Sequence, residues 1–336
     1  MKFEYAVFIG RFQPFHKGHL EACRQALQVA DKLIILVGSA TSSPNIRNPF
    51  SFEERKEMIL ANLLSYSSKI LIIPIRDYYY SDPAWLAQVQ KSVSVASNNS
   101  NSIALIGFKK DETSYYLDLF PQWENVDVDC IDETNATDVR KNYFSSLDFK
   151  ANLPQQTVAF LEKFKNTSKY NNLVAEFEAI KSYKQQWASS PYAPTFVTTD
   201  AVVICCGHVL LITRKAFPGK GLLALPGGFI KEQESLEDSC LRELREETRI
   251  KVPLPVLKGS IVKSQVFDHP LRSVRGRTIT QAFYIDLKDI SLPNVKGGDD
   301  AQKAAWKPLS WVMQNPHLLF EDHYNIIEAF IGRGIQ

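Results

Sequence analysis

The chain has 336 residues, room for two domains at about 150 residues each, and its 45% hydrophobic and 11% aromatic content can build real cores. A formal net charge of +2 excludes the strong basic field of a nucleic-acid binder, and no apolar run reaches membrane-spanning length, so neither nucleic acid nor a membrane is an expected partner. Cys23, Cys130, Cys205, Cys206 and Cys240 show neither C-x-x-C spacing nor an even count, which points to reduced thiols in a cytoplasmic enzyme. Lys2 and Glu4 lead directly into the first motif, so no cleaved signal is expected.

In chain order, residues 3–9 read as a buried strand, followed at once by Gly10-Arg11-Phe12-Gln13-Pro14-Phe15-His16-Lys17-Gly18-His19 and a helix over 20–30. A strand, a glycine-containing turn and a helix N-terminus make an anion site, because unpaired N–H groups and the helix dipole point at whatever binds there. No G-x-x-x-x-G-K-[ST] is present, so phosphates must be held differently. Two histidines separated by two residues can hydrogen-bond phosphoryl oxygens and offset the charge that builds up as an α-phosphate is attacked. Apolar runs at 33–37, 69–75, 103–108 and 126–131 alternate with helical patterns, which predicts an α/β, doubly wound parallel sheet. Ser51 with Glu54 is a capping-box signal for a helix through Leu64.

Residues 155–187 form a helical stretch with bulky side chains at Phe160, Phe164, Phe177 and Trp187. The expected organisation is a domain over 1–150, a helical linker or strut over 151–190, and a second domain over 191–336 beginning near Pro191-Tyr192-Ala193-Pro194. Strand-like segments at 196–206, 209–213, 259–266 and 278–285 surround a dense polar run at 228–250. On a helix, Glu243, Glu246 and Glu247 fall within a face about 100° wide. Three carboxylates repel there, and a hard divalent cation such as Mg²⁺ removes the repulsion.

Gly228, Glu234, Arg242, Glu243, Leu244, Glu246, Glu247 and Ile250 resemble the Nudix box, the signature of hydrolases that cut a nucleoside diphosphate linked to another group. The resemblance implies an α/β/α Nudix sandwich in which Glu243, Glu246 and Glu247 are catalytic and hold Mg²⁺ or Mn²⁺. Arg249 stands where that family has glycine, and it is tolerated if its backbone is not left-handed. His269-Pro270 and Arg272-Ser273-Val274-Arg275-Gly276-Arg277 look like a loop in ADP-ribose-directed members, so Gly227, Gly228, Arg272 and Arg275 are expected to bind ADP-ribose. Val266 stands where many such members carry proline. Alternative readings are cleavage of NADH or a dinucleoside polyphosphate, or an ADP-ribose sensor.

The N-terminal motif resembles the H-x-G-H nucleotidyltransferases, which are Rossmann-like, and its longer match looks like the archaeal-type nicotinamide mononucleotide (NMN) adenylyltransferases. Asn45-Ile46-Arg47-Asn48-Pro49-Phe50, Glu53-Glu54-Arg55 and Ala136-Thr137-Asp138-Val139-Arg140 follow the same family's order. The resemblance implies that His16 and His19 are catalytic and that Gly10, Arg11, Phe12, Thr137 and Arg140 join them in binding ATP. It implies further that Arg47 and Trp85 hold NMN, although Trp85 is equally suited to anchoring a helix in the core. Together the two resemblances point to a bifunctional NMN adenylyltransferase and Nudix ADP-ribose pyrophosphatase acting on ATP, NMN and ADP-ribose, with homo-oligomerisation left open.

Overall fold

The computed structural model describes residues 2–107, 117–128, 135–288, 290–298 and 300–332. They divide into two compact units, Met1–Ala175 and Glu176–Gln336.

In the first unit the chain runs β1 (Phe3–Gly10), α1 (Lys17–Val29), β2 (Ala30–Val37), α2 (Phe52–Asn62), β3 (Ile70–Pro74), α3 (Asp82–Ala96), β4 (Ile103–Gly107), β5 (Glu124–Asp127), α4 (Ala136–Phe144), α5 (Gln155–Phe164) and α6 (Ser168–Gln185), whose second half belongs to the other unit. The strand order β3-β2-β1-β4-β5 is wholly parallel, so both faces are covered and the inner strands are continuously apolar. Val7, Ile34, Leu36 and Leu105 build the core on one face with Val89 and Val93 of α3. The order reverses between β1 and β4, and the carboxyl ends of strands beside such a reversal form a crevice. Residues 10–19 leave β1 at that crevice. The run expected over 126–131 is a strand only over 124–127, and residues 129–131, with Cys130, lie outside the described residues.

The expected capping box is present: the Ser51 hydroxyl accepts from the Glu54 N–H, and the Glu54 carboxylate accepts from the Ser51 N–H. The helical stretch over 155–187 breaks into α5 and α6 because Thr167 caps the second helix, its hydroxyl accepting from the Tyr170 N–H at 3.2 Å. The first of these helices belongs to the first unit, where Phe160 and Phe164 pack edge-on against Phe50 and Thr157 accepts from the Asn62 side chain at 2.9 Å. The division between units falls inside α6, so the segment expected as a linker is shared between them.

The second unit continues through β6 (Thr195–Cys205), β7 (His208–Arg214), β8 (Leu223–Ala224), β9 (Gly227–Phe229), α7 (Leu236–Thr248), α8 (Leu254–Gly259), β10 (Ile261–Phe267), β11 (Arg277–Leu287), β12 (Ala301–Pro308), α9 (Leu309–Gln314) and α10 (His323–Ile331). Its mixed sheet runs β10-β11-β6-β7-β12, with β8 and β9 paired to β7 and β6. The spine is the parallel pair of β6 and β11, in register from Thr195 opposite Arg277 to Cys205 opposite Leu287. Ala201, Val203 and Cys205 point to the face that packs Cys240, Leu241 and Leu244 of α7, and the residues between them point to the other face. This is the α/β architecture expected for each half.

Candidate active sites

In the first unit, α1 begins with a reciprocal cap built from the two motif histidines. The Nδ1 of His16 accepts from the His19 N–H at 3.4 Å, and the Nδ1 of His19 accepts from the His16 N–H at 3.2 Å. Their rings stack with centroids 3.5 Å apart. With each Nδ1 committed as an acceptor, the proton of each neutral ring sits on Nε2, which makes both rings N–H donors at that atom. Burial, and secondarily the neighbouring His16, holds the His19 pKa well below its ordinary value, which favours the neutral ring.

The turn before the cap is strained for a purpose. Phe12 has a φ of +54°, rare for an aromatic residue, and its ring is 1% exposed, wedged against Phe8 at 5.5 Å and His19 at 4.8 Å. A Cβ on Gly10 would lie 2.8 Å from that ring, so only glycine fits beneath it. The Phe12 side chain thus buttresses His19, so of the contact expected from this residue only its backbone is available.

Arg140 on α4 is buried, donating to the Gln13 carbonyl at 2.6 Å and the Thr137 hydroxyl at 3.1 Å. Both acceptors are neutral. Burial first, and then repulsion from Arg11 and Arg47, pushes its pKa down to about 10, so three positive charges converge around Arg140. That surplus is what a triphosphate and a mononucleotide phosphate would neutralise. Trp85 is half-buried and packs on Phe120 at 5.9 Å beside the core, the anchoring position that its sequence context also allowed.

Two residues outside the expected set organise this crevice. Arg55, 1% exposed, donates from Nη1 to the carbonyls of Arg11 at 2.8 Å and Gly38 at 2.6 Å, from Nη2 to Ser39 at 3.2 Å, and from Nε to Ser51 at 3.2 Å. It ties the loops after β1 and β2 to the start of α2. Gln13 joins its side-chain amide to both backbone groups of Phe50, at 2.9 and 3.0 Å. Each lies inside a quoted motif, but the spacing carries no sign of what either touches.

In the second unit, Ser235 caps α7, accepting from the Asp238 N–H at 3.1 Å. The helix buries Leu241 and Leu244 and turns Arg242, Glu243 and Glu246 outward. Arg242 forks onto Glu234 and donates from Nη1 to Glu243 and Glu246, both at 2.8 Å. The guanidinium draws the Glu234 pKa down to about 2. Glu247 is buried at the other side of this group, accepting from the Gly227 N–H at 3.0 Å. Burial pushes its pKa up to about 8, with repulsion from Glu243 and Asp200 in the same direction. A Cβ on Gly228 would lie 2.6 Å from Glu243 Oε1, so any side chain there would displace that carboxylate, whereas one on Gly227 would meet the Thr199 carbonyl oxygen of β6 at 2.2 Å.

Among the described residues no three acidic, histidine or cysteine side chains already stand in a metal-holding arrangement. The donor set nonetheless fits a hard divalent cation: all oxygen, clustered, partly buried and mutually repelling, with Arg242 bridging two of its members.

Two expectations are corrected here. Arg249 caps α7 in the left-handed conformation, φ +46° and ψ +34°, because its N–H closes the last turn on the Arg245 carbonyl at 2.9 Å. The αL cap position, which glycine ordinarily takes, is occupied here by an arginine. Arg272, expected to meet ADP-ribose, has a side chain only 2% exposed and forks onto Asp322 with two bonds of 2.9 Å. It is a buried strut, 3.9 Å from Asp200. Arg275 is better placed, with its guanidinium 5.3 Å from the Phe229 ring and 3.9 Å from Glu321. Sequence reasoning missed Arg214, at the end of β7, which stacks 4.0 Å over Phe320 and senses the charges of Arg275, Glu321, Glu247 and Asp200. A lone arginine at a strand end carries no motif.

Known proteins resemble both units. A cytidylyltransferase-like family model matches residues 7–104, and a NUDIX domain model matches residues 195–330. A nicotinamide/nicotinic acid mononucleotide adenylyltransferase of Acinetobacter baylyi is 41% identical over 180 residues, 53% of this chain and 95% of that protein. An ADP-ribose pyrophosphatase of Methanocaldococcus jannaschii is 32% identical over 163 residues, 48% of this chain and 85% of its own length. A crystal structure of a bifunctional NMN adenylyltransferase/ADP ribose pyrophosphatase from Francisella tularensis superposes with a TM-score of 0.94 at 41% identity, covering 98% of this chain and 99% of that one. The same type of enzyme from Francisella tularensis, complexed with AMP and manganese ion, gives a TM-score of 0.94 at 40% identity, with the same coverage.

Proposed function

The chain belongs to the family of bifunctional NMN adenylyltransferase/ADP-ribose pyrophosphatases, and from that membership we propose how its own residues divide two reactions. Residues of the first unit join NMN and ATP to give NAD and pyrophosphate. Residues of the second hydrolyse ADP-ribose to AMP and ribose 5-phosphate.

In the first reaction an oxygen of the NMN phosphate attacks the α-phosphorus of ATP, and the bond to the β-phosphate oxygen breaks. The Nε2–H groups of His16 and His19 donate to oxygens of the reacting phosphates, where charge accumulates. Arg11 and Arg140 hold the triphosphate, and Arg47 draws the NMN phosphate into the same positive crevice. Arg55 and Gln13 keep the loops that carry these groups in place.

In the second reaction water attacks a phosphorus of the diphosphate, and the bridging P–O bond breaks. Glu243, Glu246 and Glu247 would hold a divalent cation, Mg²⁺ with Mn²⁺ as the alternative, which when bound supplies charge neutralisation at the diphosphate and activation of water. Gly227 and Gly228 let β9 lie close to these carboxylates, and Arg275 and Arg214 supply positive charge beyond them. The intact carboxylate set favours catalysis over sensing, since a sensor has no need to retain it. The thiols of Cys23, Cys205 and Cys240, buried and unbridged, support a cytoplasmic location.

One observation carries the two-activity reading: each chemical set lies wholly within one compact unit, His16, His19 and Arg140 in the first and the box carboxylates in the second. The test is both rates on two full-length variants in one buffer. His19→Ala lowers adenylyl transfer by about 10²-fold or more and leaves hydrolysis within about twofold. Glu247→Gln abolishes hydrolysis and leaves transfer within about twofold. Loss of both activities from either substitution, with an unchanged melting profile, overturns the division.

A further inference from the structure

Three consecutive residues where α10 begins each grip a different segment of the second unit. Asp322 forks onto Arg272, and the Nδ1 of His323 accepts from the Leu225 N–H at 2.8 Å, two residues ahead of Gly227. Glu321 takes the stretch that follows Arg272: its Oε1 accepts from the Ser273 hydroxyl at 2.8 Å and the Val274 N–H at 3.1 Å, and its Oε2 lies 3.9 Å from Nη2 of Arg275. The carboxylate side chain is 7% exposed. Glu321 has a φ of +45°, a left-handed conformation that a glutamate keeps only where its surroundings fix it, and the chain turns sharply enough there for the three side chains to diverge. The turn is itself pinned from behind, since the Phe320 N–H donates to the Leu223 carbonyl at 2.8 Å and Arg214 stacks 4.0 Å over the Phe320 ring.

Ser273 links this carboxylate to Arg275. A hydroxyl has one proton and two lone pairs, and with its proton given to Glu321 the Ser273 oxygen accepts from both the N–H and the Nε–H of Arg275, each at 3.3 Å. The guanidinium so held lies 5.3 Å from the Phe229 ring and 6.0 Å from that of Phe320. We infer that Glu321 is a positioning residue of the hydrolytic site: through Ser273 it fixes the direction of the Arg275 side chain, so that the guanidinium meets the substrate diphosphate already oriented. Nε and Nη2 face the Glu321–Ser273 pair, so Nη1 is the donor directed to a diphosphate oxygen. An arginine ordered before its ligand arrives loses less side-chain freedom on binding, so the gain falls on affinity rather than on the chemical step. This inference rests on the proposed hydrolytic reading, in which Arg275 supplies charge at the diphosphate.

The experiment measures ADP-ribose hydrolysis by full-length wild type, Glu321→Ala, Glu321→Gln, Arg275→Ala and the Glu321→Ala/Arg275→Ala double variant. Alanine removes the acceptor that orients Ser273, so KM rises about fivefold to tenfold while kcat stays within about threefold. Glutamine keeps a side-chain oxygen for Ser273 and Val274 and brings KM back to within about threefold of wild type. In the Arg275→Ala background the alanine at 321 changes KM by less than about twofold, because no guanidinium remains to be positioned. A carboxylate that served the fold alone would act equally in both backgrounds, and that result, or an unchanged KM in Glu321→Ala, overturns the proposal. Should Glu321→Ala not fold, Ser273→Ala breaks the same link while sparing the Glu321–Val274 bond, with the same rise in KM expected and an unchanged KM overturning it. Failure of the wild type to cleave ADP-ribose refutes the hydrolytic reading instead. Calorimetric titration of ADP-ribose in EDTA then still decides the positioning role: Kd is about fivefold or more weaker in Glu321→Ala, and equal values overturn it.

Discussion

Arg55 offers the sharpest test of how the first site is built. The perturbation is Arg55→Met, which keeps length and bulk while removing every donor. The native guanidinium makes four bonds to the main-chain carbonyls of Arg11, Gly38, Ser39 and Ser51, at 2.6 to 3.2 Å, in a place that is 1% exposed. A hydrogen bond from a charged donor contributes about 1.5–3 kcal/mol, and a buried acceptor left without a partner costs about 1–3 kcal/mol. These terms do not add fully, because the loops relax and methionine recovers some apolar packing, so the expected net loss is about 3–5 kcal/mol. For a unit of this size, 1 kcal/mol moves the midpoint by about 2–4 °C, which predicts a fall of about 10 °C. The assay is calorimetry of the transition that ATP shifts upward, together with initial rates of adenylyl transfer at a temperature where the variant is folded. Transfer falls because Arg11 and the Gly38–Ser39 turn lose a common anchor, and Arg55→Lys, with one ammonium for a planar fork, recovers only part of the loss. A melting midpoint within about 3 °C of the parent would refute the claim that this residue knits the crevice.

Two further outcomes concern the second unit. Arg249→Gly relieves a left-handed backbone that costs an arginine about 1–2 kcal/mol, against about 0.5–1 kcal/mol of added chain freedom, so urea titration finds a gain of about 0.5 kcal/mol with hydrolysis retained; a loss above about 1 kcal/mol would show that the side chain's packing over Gly298 matters more. The pKa of buried His323 is pushed down to about 3 by burial, so below pH 6.5 the unfolded chain binds a proton the native one refuses, and stability falls with pH by up to about 1.4 kcal/mol per unit between 6.5 and 3. Asp200, its carboxyl pushed up by burial, opposes this trend, so the quantity to measure is the difference from His323→Asn, which keeps an acceptor for the Leu225 N–H and has a flatter acid limb; equal slopes would remove His323 from the account.

What could be read from sequence was whatever depends on near neighbours along the chain. The Ser51–Glu54 box, the α7 carboxylates and the paired histidines act over three or four residues, where helix geometry alone decides who meets whom. Even there, spacing placed His16 and His19 together without disclosing that each caps the other's backbone. The unreadable part was long-range. Arg55 reaches a carbonyl 44 residues away, and Arg272 finds Asp322 across 50 residues, which turned an expected ligand contact into a core ion pair. Arg249 shows the same limit locally, since tertiary demand for a tight helix end outweighed the conformational preference of the residue placed there.

The in-register pairing of β6 with β11 over eleven residues has a consequence for how this half can change over generations. Adjacent positions on β6 serve opposite chemistries: Thr199 faces Ser239 on the catalytic helix, while Asp200 faces Thr280 and Arg272. Inserting or deleting one residue in the spine would exchange these roles wholesale, sending a carboxylate into the apolar side and a threonine into the ionic one. Length variation is therefore lethal in the spine and tolerable at its ends. New substrate preferences in descendants of this chain must arise by substitution on the strands or by remodelling the segments that flank them, such as 268–276, where Arg275 already resides.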